Sequence, residues 1–316
     1  MSSSKTAQEK TNAWSKFVSF LSKLGFSPIG LVLLIIIAIL PISSPYFQQE
    51  YIVRWLIMGA FMAAQSVAFD FTAGYINIVN FGFAALLGFG AYTSGILSNN
   101  TPFISVAPGL SPWISIWLGA IMAGFVGFIL AVLTLRLRGI FAAVMAWFLG
   151  IALMGLINNL TSLTRGPLGM NPVKFLETTN NLPYFYIVFA MMIGIYITLK
   201  LVTRSHFGLA FKAIGQNLDA ARASGINPTR YLVFNFTLSA FFAGLLGGFY
   251  AHFYGSLTPS TIEYLRSNFT DLPGLHLVIY GLLMIVVMIF YPNGFSGFVA
   301  WAKTKLDALF PKKAAS

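Results

Sequence analysis

Long stretches of this chain carry no charge at all. No Asp, Glu, Lys or Arg occurs between Asp70 and Arg136, Arg138 and Arg165, Glu177 and Lys200, Arg230 and Glu263, or Asp271 and Lys303. Each gap holds one or two apolar stretches long enough to cross a bilayer core of ~30 Å at about 1.5 Å per helical residue. The stretches show no alternation of period two, so they read as helices and not as strands of a barrel. Composition agrees: 9% of the 316 residues are charged and 57% are hydrophobic, against about 25% charged in a soluble domain. That excludes an ordinary water-soluble enzyme, and the apolar fraction excludes a disordered chain. Cysteine is absent, which removes disulfides, thiolate metal sites and cysteine nucleophiles.

The pattern predicts an all-α polytopic transmembrane bundle of about eight spans, near 26–43, 52–71, 78–98, 112–135, 139–160, 183–203, 231–254 and 274–296. The span 78–98 is rich in glycine and reads as broken or partly re-entrant. Lys16 and Lys23 precede the first span, but no small-residue cleavage site follows it, so it is expected to be an uncleaved helix. With both termini in the cytoplasm, fifteen of the 19 Lys and Arg fall on the cytoplasmic side; only Arg54, Arg165, Lys174 and Arg266 fall outside. The net charge of +11 is then a positive-inside bias and needs no nucleic acid. The chain divides into a basic cytoplasmic segment 1–25, a membrane domain 26–300 and a basic cytoplasmic tail 301–316. The stretch 205–230 is too polar to span, and is expected as one or two helices at the cytoplasmic interface.

Within that stretch, Asp219-Ala-Ala-Arg-Ala-Ser-Gly225 reads as a short helix stopped by Gly225, with Pro228 barring continuation. Two adjacent alanines give it a low-relief surface. From the residues alone it is equally a plug for a cleft on a partner protein or a plain connector lying on the membrane. The acidic-Ala-Ala-x-x-x-Gly pattern of Asp219, Ala220, Ala221 and Gly225 resembles the coupling motif of ABC importer permeases. The wider run Arg204–Asn217 and Ala220–Tyr231, together with Gly74-Tyr75, Phe81-Gly82, Gly90-Ala91-Tyr92, Arg136-Leu-Arg-Gly139, Asn159–Gly169 and Tyr291–Gly297, resembles the branched-chain amino-acid permease family over about 60–300. The resemblance implies a coupling helix at Asp219, Ala220, Ala221, Arg222 and Gly225 that docks on an ATPase. It also implies two ATPase subunits carrying ATP and Mg, a second permease subunit, an extracytoplasmic substrate-binding protein and a prokaryotic inner membrane. Urea, amides, sugars or energy-independent passage are the alternative cargoes and modes on the same scaffold. One departure stands out: Thr258-Pro-Ser260 runs almost directly into the last span, where family members usually carry a further glycine-rich hairpin. Loss of a helix pair keeps both ends on one side.

No G-x-x-x-x-G-K-[ST] stretch is present, so ATP hydrolysis is expected on a partner. No nucleophile–base–acid constellation marks an enzyme, no His or acid spacing marks a metal site, and no cofactor is expected on this chain. Few ionisable residues interrupt the spans, which argues against a carrier with its own proton relay. Candidate path or gate residues are Asp70, Gly74, Asn77 and Asn80. Asn77 and Asn80 stand three apart, as on one helix face, where they act as interhelical glue worth ~0.6–2 kcal/mol each or line a polar path. The outer stretch Arg165-Gly166-Pro167 is a solvated turn or, by the resemblance, a docking point for the binding protein.

Overall fold

A computed structural model describes residues 28–43, 49–99, 109–134, 140–176, 178 and 180–259. The termini 1–25 and 301–316, the last expected span 274–296 and the shortened hairpin lie outside the described residues. The described chain is all-helical. Its helices are α1 (Pro28–Ser43), α2 (Glu50–Ile76), α3 (Phe83–Ser98), α4 (Pro112–Thr134), α5 (Ile140–Asn159), α6 (Thr161–Thr164), α7 (Leu182–Arg204), α8 (His206–Gln216), α9 (Leu218–Ala223) and α10 (Pro228–Tyr254). Four of them, α2, α4, α7 and α10, are long and apolar enough to cross a membrane. A fifth crossing results if α5 and the segment up to Leu168, bent by 75° at Leu160, are one span. The helices α1 and α3 are apolar but only 16 residues long, about 24 Å at 1.5 Å per residue.

The expected span 78–98 is corrected by the structure: α2 runs on to Ile76, and α3 starts only at Phe83. Asn77 closes α2 in the left-handed region (φ 56°), a conformation that asparagine tolerates better than most residues. Residues 77–82 are a turn. Asn77 and Asn80 therefore share no helix face; Asn77 is exposed and Asn80 is buried.

Helix α10 is the centre of the bundle, with 72% of its apolar window buried. It makes its most extensive contacts with α4 and α3. Between lipid-embedded helices there is little hydrophobic drive, so small residues that let backbones approach supply the packing. A Cβ on Gly90 of α3 would fall 2.6 Å from the Gly244 carbonyl oxygen of α10. One on Gly119 of α4 would fall 2.6 Å from the Gly90 carbonyl oxygen, and one on Gly248 would fall 2.6 Å from Ile116 Cγ1. Gly247 abuts Leu87 and Gly127 abuts Ala240 in the same way. The opposite face of α4 exposes Trp113, Trp117, Ile121, Phe125 and Phe128, a stripe suited to acyl chains. On the other flank, α7 packs on α2, and the Tyr186 hydroxyl donates to the Ala38 carbonyl of α1 (3.0 Å).

Replacing Gly90 by Ala is expected to destabilise the bundle by about 1–3 kcal/mol through overpacking. Gly59 on α2 has nothing within 4 Å of its missing Cβ, so Gly59→Ala should be neutral or stabilising by up to about 1 kcal/mol. Thermal denaturation of the two variants in detergent separates a glycine seam from a general tolerance of alanine.

Candidate functional site

Two ends of the bundle carry polar machinery. The first, here the loop end, is built by α8 and α9. Ser205 caps α8, its hydroxyl accepting from the Phe207 N–H (3.2 Å). Asn217 ends α8 and caps α9, with Oδ1 accepting from the N–H groups of Asp219 and Ala220 (3.0 Å each). Such a cap is worth about 1 kcal/mol. Asp219 in the first turn and Arg222 in the last suit the helix dipole, and they approach each other at 3.9 Å while both stay well exposed. The chain leaves through Gly225 at φ +80°, and Pro228 occupies the first turn of α10. The short helix and its stop were thus legible in the sequence; the capping role of Asn217 was not singled out there.

Of the five motif residues, Asp219, Ala220, Arg222 and Gly225 are exposed, whereas Ala221 is 3% exposed. Ala221 faces inward and positions the helix. The exposed surface of the short helix is formed by Asp219, Ala220, Arg222 and Ala223. Beneath it lies an aromatic joint. Phe211 of α8 meets Phe71 of α2 edge-on (5.6 Å), and Phe207 stacks on Phe234 of α10 (4.9 Å). Gly215 presses on the last turn of α2, where a Cβ would lie 2.5 Å from the Tyr75 carbonyl oxygen. The pair α8–α9 is therefore packed directly on the ends of α2 and α10.

The path candidates cluster at this same end. Asp70 is exposed on α2 and lines a cavity of about 330 Å³ with Lys200 and Tyr196 of α7, Tyr75 and Thr203. The Asp70 carboxylate lies over Gly74, whose missing side chain makes the room. In the turn, Asn80 Oδ1 accepts from the Gly82 N–H (3.0 Å), and its Nδ2 is buried without a partner. Gly82 passes close to the Ala146 carbonyl of α5. Residues that sequence reasoning missed stand nearby. The Asn235 amide of α10 donates to the Phe71 carbonyl (2.9 Å), and Ser239, one turn on, donates to the Ala68 carbonyl (2.8 Å). Thr72 Oγ1 and Asn235 Oδ1 remain buried without partners among the described residues. A polar pair at i and i+4 facing α2 was visible in the sequence; that its partners are backbone carbonyls was not.

At the far end, the segment 165–176 folds over the bundle. Arg165 (φ 60°), Gly166 (φ 55°) and Gly169 (φ 69°) take left-handed backbone, and Met170 pairs with Leu257 through two hydrogen bonds of 2.8 Å. Gly166 is buried, Arg165 is half-buried, and Pro167 and Leu168 are exposed. The anchor is His252, fully buried near the end of α10. Its Nδ1 bonds the Val173 carbonyl (2.5 Å), and Nε2 lies 2.8 Å from Ser94 Oγ and 3.2 Å from Ser115 Oγ. A carbonyl can only accept, so Nδ1 carries the proton of that bond. His252 thus ties α3, α4, α10 and the covering segment together. Among the described residues no three His, Cys, Asp or Glu are grouped to hold a metal.

The bundle, its glycine seams and its long apolar helices are those of a polytopic membrane protein. The profile of the family described as branched-chain amino acid transport system / permease component matches residues 51–288, and the chain belongs to that family. It is 22% identical over 264 residues to the high-affinity branched-chain amino acid transport system permease protein LivM of Escherichia coli K12, covering 75% of this chain and 60% of that protein. The Salmonella typhimurium LT2 protein of the same name matches equally. A nucleoside ABC transporter permease protein, NupC of Lactococcus lactis, is 30% identical over 204 residues, 59% of this chain and 62% of that one. The chain thus spans about 60% of the length of these relatives. No solved structure matches it. Subunits of this family move solutes and are not themselves enzymes.

Removing the His252 ring by His252→Ala breaks its hydrogen bonds to the Val173 carbonyl and the Ser94–Ser115 pair and empties a fully buried site, and is expected to destabilise the protein by ~3 kcal/mol. Ser94→Ala, which removes one partner, should cost ~1 kcal/mol. Comparing the melting midpoints of the two variants in detergent checks the order.

Proposed function

We propose that this chain is a transmembrane subunit of an ABC importer that carries branched-chain or other amino acids inward across a prokaryotic cytoplasmic membrane. The observation that carries the reading is the exposed, asparagine-capped helix Leu218–Ala223, set on the ends of α2 and α10 by Phe207, Phe211 and Gly215. An ATPase docked on Asp219, Ala220, Arg222 and Ala223 would drive that joint, and alternating access would follow by rocking of the helices it holds. In this reading the loop end faces the cytoplasm, both termini lie there, and about eight spans cross the membrane. Two ATPases with bound ATP and Mg, a second permease subunit and a substrate-binding protein complete the assembly. Arg165 and Pro167 at the far end belong to the surface that receives the binding protein, and Gly166 shapes their turn. Asp70, Gly74, Asn77 and Asn80 lie where an inner gate would stand, between the coupling joint and the ends of α2 and α3.

A second reading is nucleoside import, favoured by the 30% identity to the Lactococcus lactis permease. The two readings share the coupling mechanism and differ in cargo.

The double variant Ala220→Trp with Arg222→Glu changes only exposed atoms. It is expected to leave the melting midpoint within about 0.5 kcal/mol of wild type, as surface changes do, while abolishing co-purification of the ATPase and ATP-dependent uptake of radiolabelled leucine. An intact complex with unchanged uptake would refute docking on α9. ATP-dependent uptake of uridine, with none of leucine, would move the cargo to nucleosides.

A further inference from the structure

At the far end, the first turn of α2, the segment before α7 and the end of α10 enclose a cavity of about 370 Å³ that the coupling mechanism does not use. Its wall carries both signs of charge. Glu50 and Arg54 stand one turn apart on α2, and Lys174 reaches in from the covering segment. No ion pair within 4.0 Å joins Glu50 to either cation among the described residues, and all three side chains are exposed. Lys174 is held in place: its aliphatic stem crosses Gly255, where a Cβ would lie 3.0 Å from Lys174 Cε. Asn181 contributes to the wall, its Nδ2 group buried away from the open space and without an acceptor among the described residues. The Tyr184 hydroxyl is already engaged with the backbone of Leu176 at 3.0 and 3.1 Å. Tyr184 therefore offers its ring, which packs edge-on against Phe253 at 5.2 Å.

An isolated anion would meet Glu50, and an isolated cation would meet Arg54 and Lys174. A ligand carrying both charges close together satisfies each. We propose that this cavity receives a free zwitterionic α-amino acid: Arg54 and Lys174 bind the carboxylate, Glu50 binds the ammonium, and Tyr184 and Phe253 cover an apolar side chain. A nucleoside carries neither of these charges. It deepens the amino-acid reading above and rests on it for its role, as a reception point at the mouth of the transporter.

The test is equilibrium binding of tritiated leucine to the full chain in lipid nanodiscs. Competitors are isocaproate, which lacks the amino group, isoamylamine, which lacks the carboxylate, and uridine. Leucine should bind saturably and compete about tenfold or more better than either singly charged analogue, the ratio expected when one charge-assisted hydrogen bond is lost. Uridine should not compete. Glu50→Gln should weaken leucine and isoamylamine while sparing isocaproate; Arg54→Gln should weaken leucine and isocaproate while sparing isoamylamine. Lys174→Gln serves in place of Arg54→Gln if that variant fails to fold. Absence of saturable leucine binding by the wild-type chain, or equal binding by wild type and variants, overturns the proposal. Uptake by the assembled transporter reads the cargo separately. Leucine uptake without cavity binding sinks the cavity alone, and uridine uptake without leucine uptake sinks the amino-acid importer.

Discussion

Close approach of backbones along α10 is the constraint on which the rest of the structure depends. In a bilayer the tails are as apolar as leucine, so helices gain little by hiding apolar side chains from lipid. Dispersion between closely packed atoms and a few internal hydrogen bonds must hold the bundle together instead. The glycines at 90, 119, 244, 247 and 248 let α3, α4 and α10 approach until backbone faces backbone. Polar clamps then fix the pitch at both ends: Asn235 and Ser239 on the carbonyls of α2, and His252 on Ser94, Ser115 and Val173. Each clamp uses a polar side chain to satisfy a group that lipid cannot hydrate.

That frame explains how a small exposed helix can act on a large bundle. The helix α9 is only six residues long, too short to be stable in isolation. It persists because Asn217 caps it, Ala221 is buried beneath it and Gly225 releases the chain. The neighbouring α8 is locked by aromatic contacts to the same α2 and α10 that the glycine seam and the Asn235 and Ser239 clamps organise. In the proposed mechanism, a push at the loop end would reach the central helix through these contacts. The turn 77–82, with its left-handed Asn77 and buried Asn80, sits next to this joint, where a conformational change would be used.

Much of the architecture was legible in the charge pattern. Gaps between charged residues located the helices, because burying an unpaired charge in hydrocarbon is costly. The polar stretch 205–230 announced itself by Gly225 and Pro228, residues whose backbone demands are local. Reading failed where geometry is not local. Asn77 and Asn80 were placed on one face by extending helical periodicity across what is a helix end; the left-handed cap was hidden because asparagine is permitted there without being required. His252 lacked neighbours at helical spacing, yet its partners come from residues 94, 115 and 173, far away along the chain. Ala221 and Gly166 carry the same motif signal as their exposed neighbours, and only packing reveals that they face inward.

The natural absence of cysteine makes the central claim directly accessible, since a single introduced thiol is the sole target for a maleimide. The central claim is that the Leu218–Ala223 helix lies in the cytoplasm and is covered by an ATPase. The decisive measurement is labelling of an Ala220→Cys variant by a membrane-impermeant maleimide, in intact cells and in inverted vesicles, with and without the bound ATPase. Labelling in inverted vesicles only, suppressed when the ATPase is present, is the expected result. Labelling from outside intact cells, or labelling in vesicles that the ATPase leaves unchanged, would contradict the account.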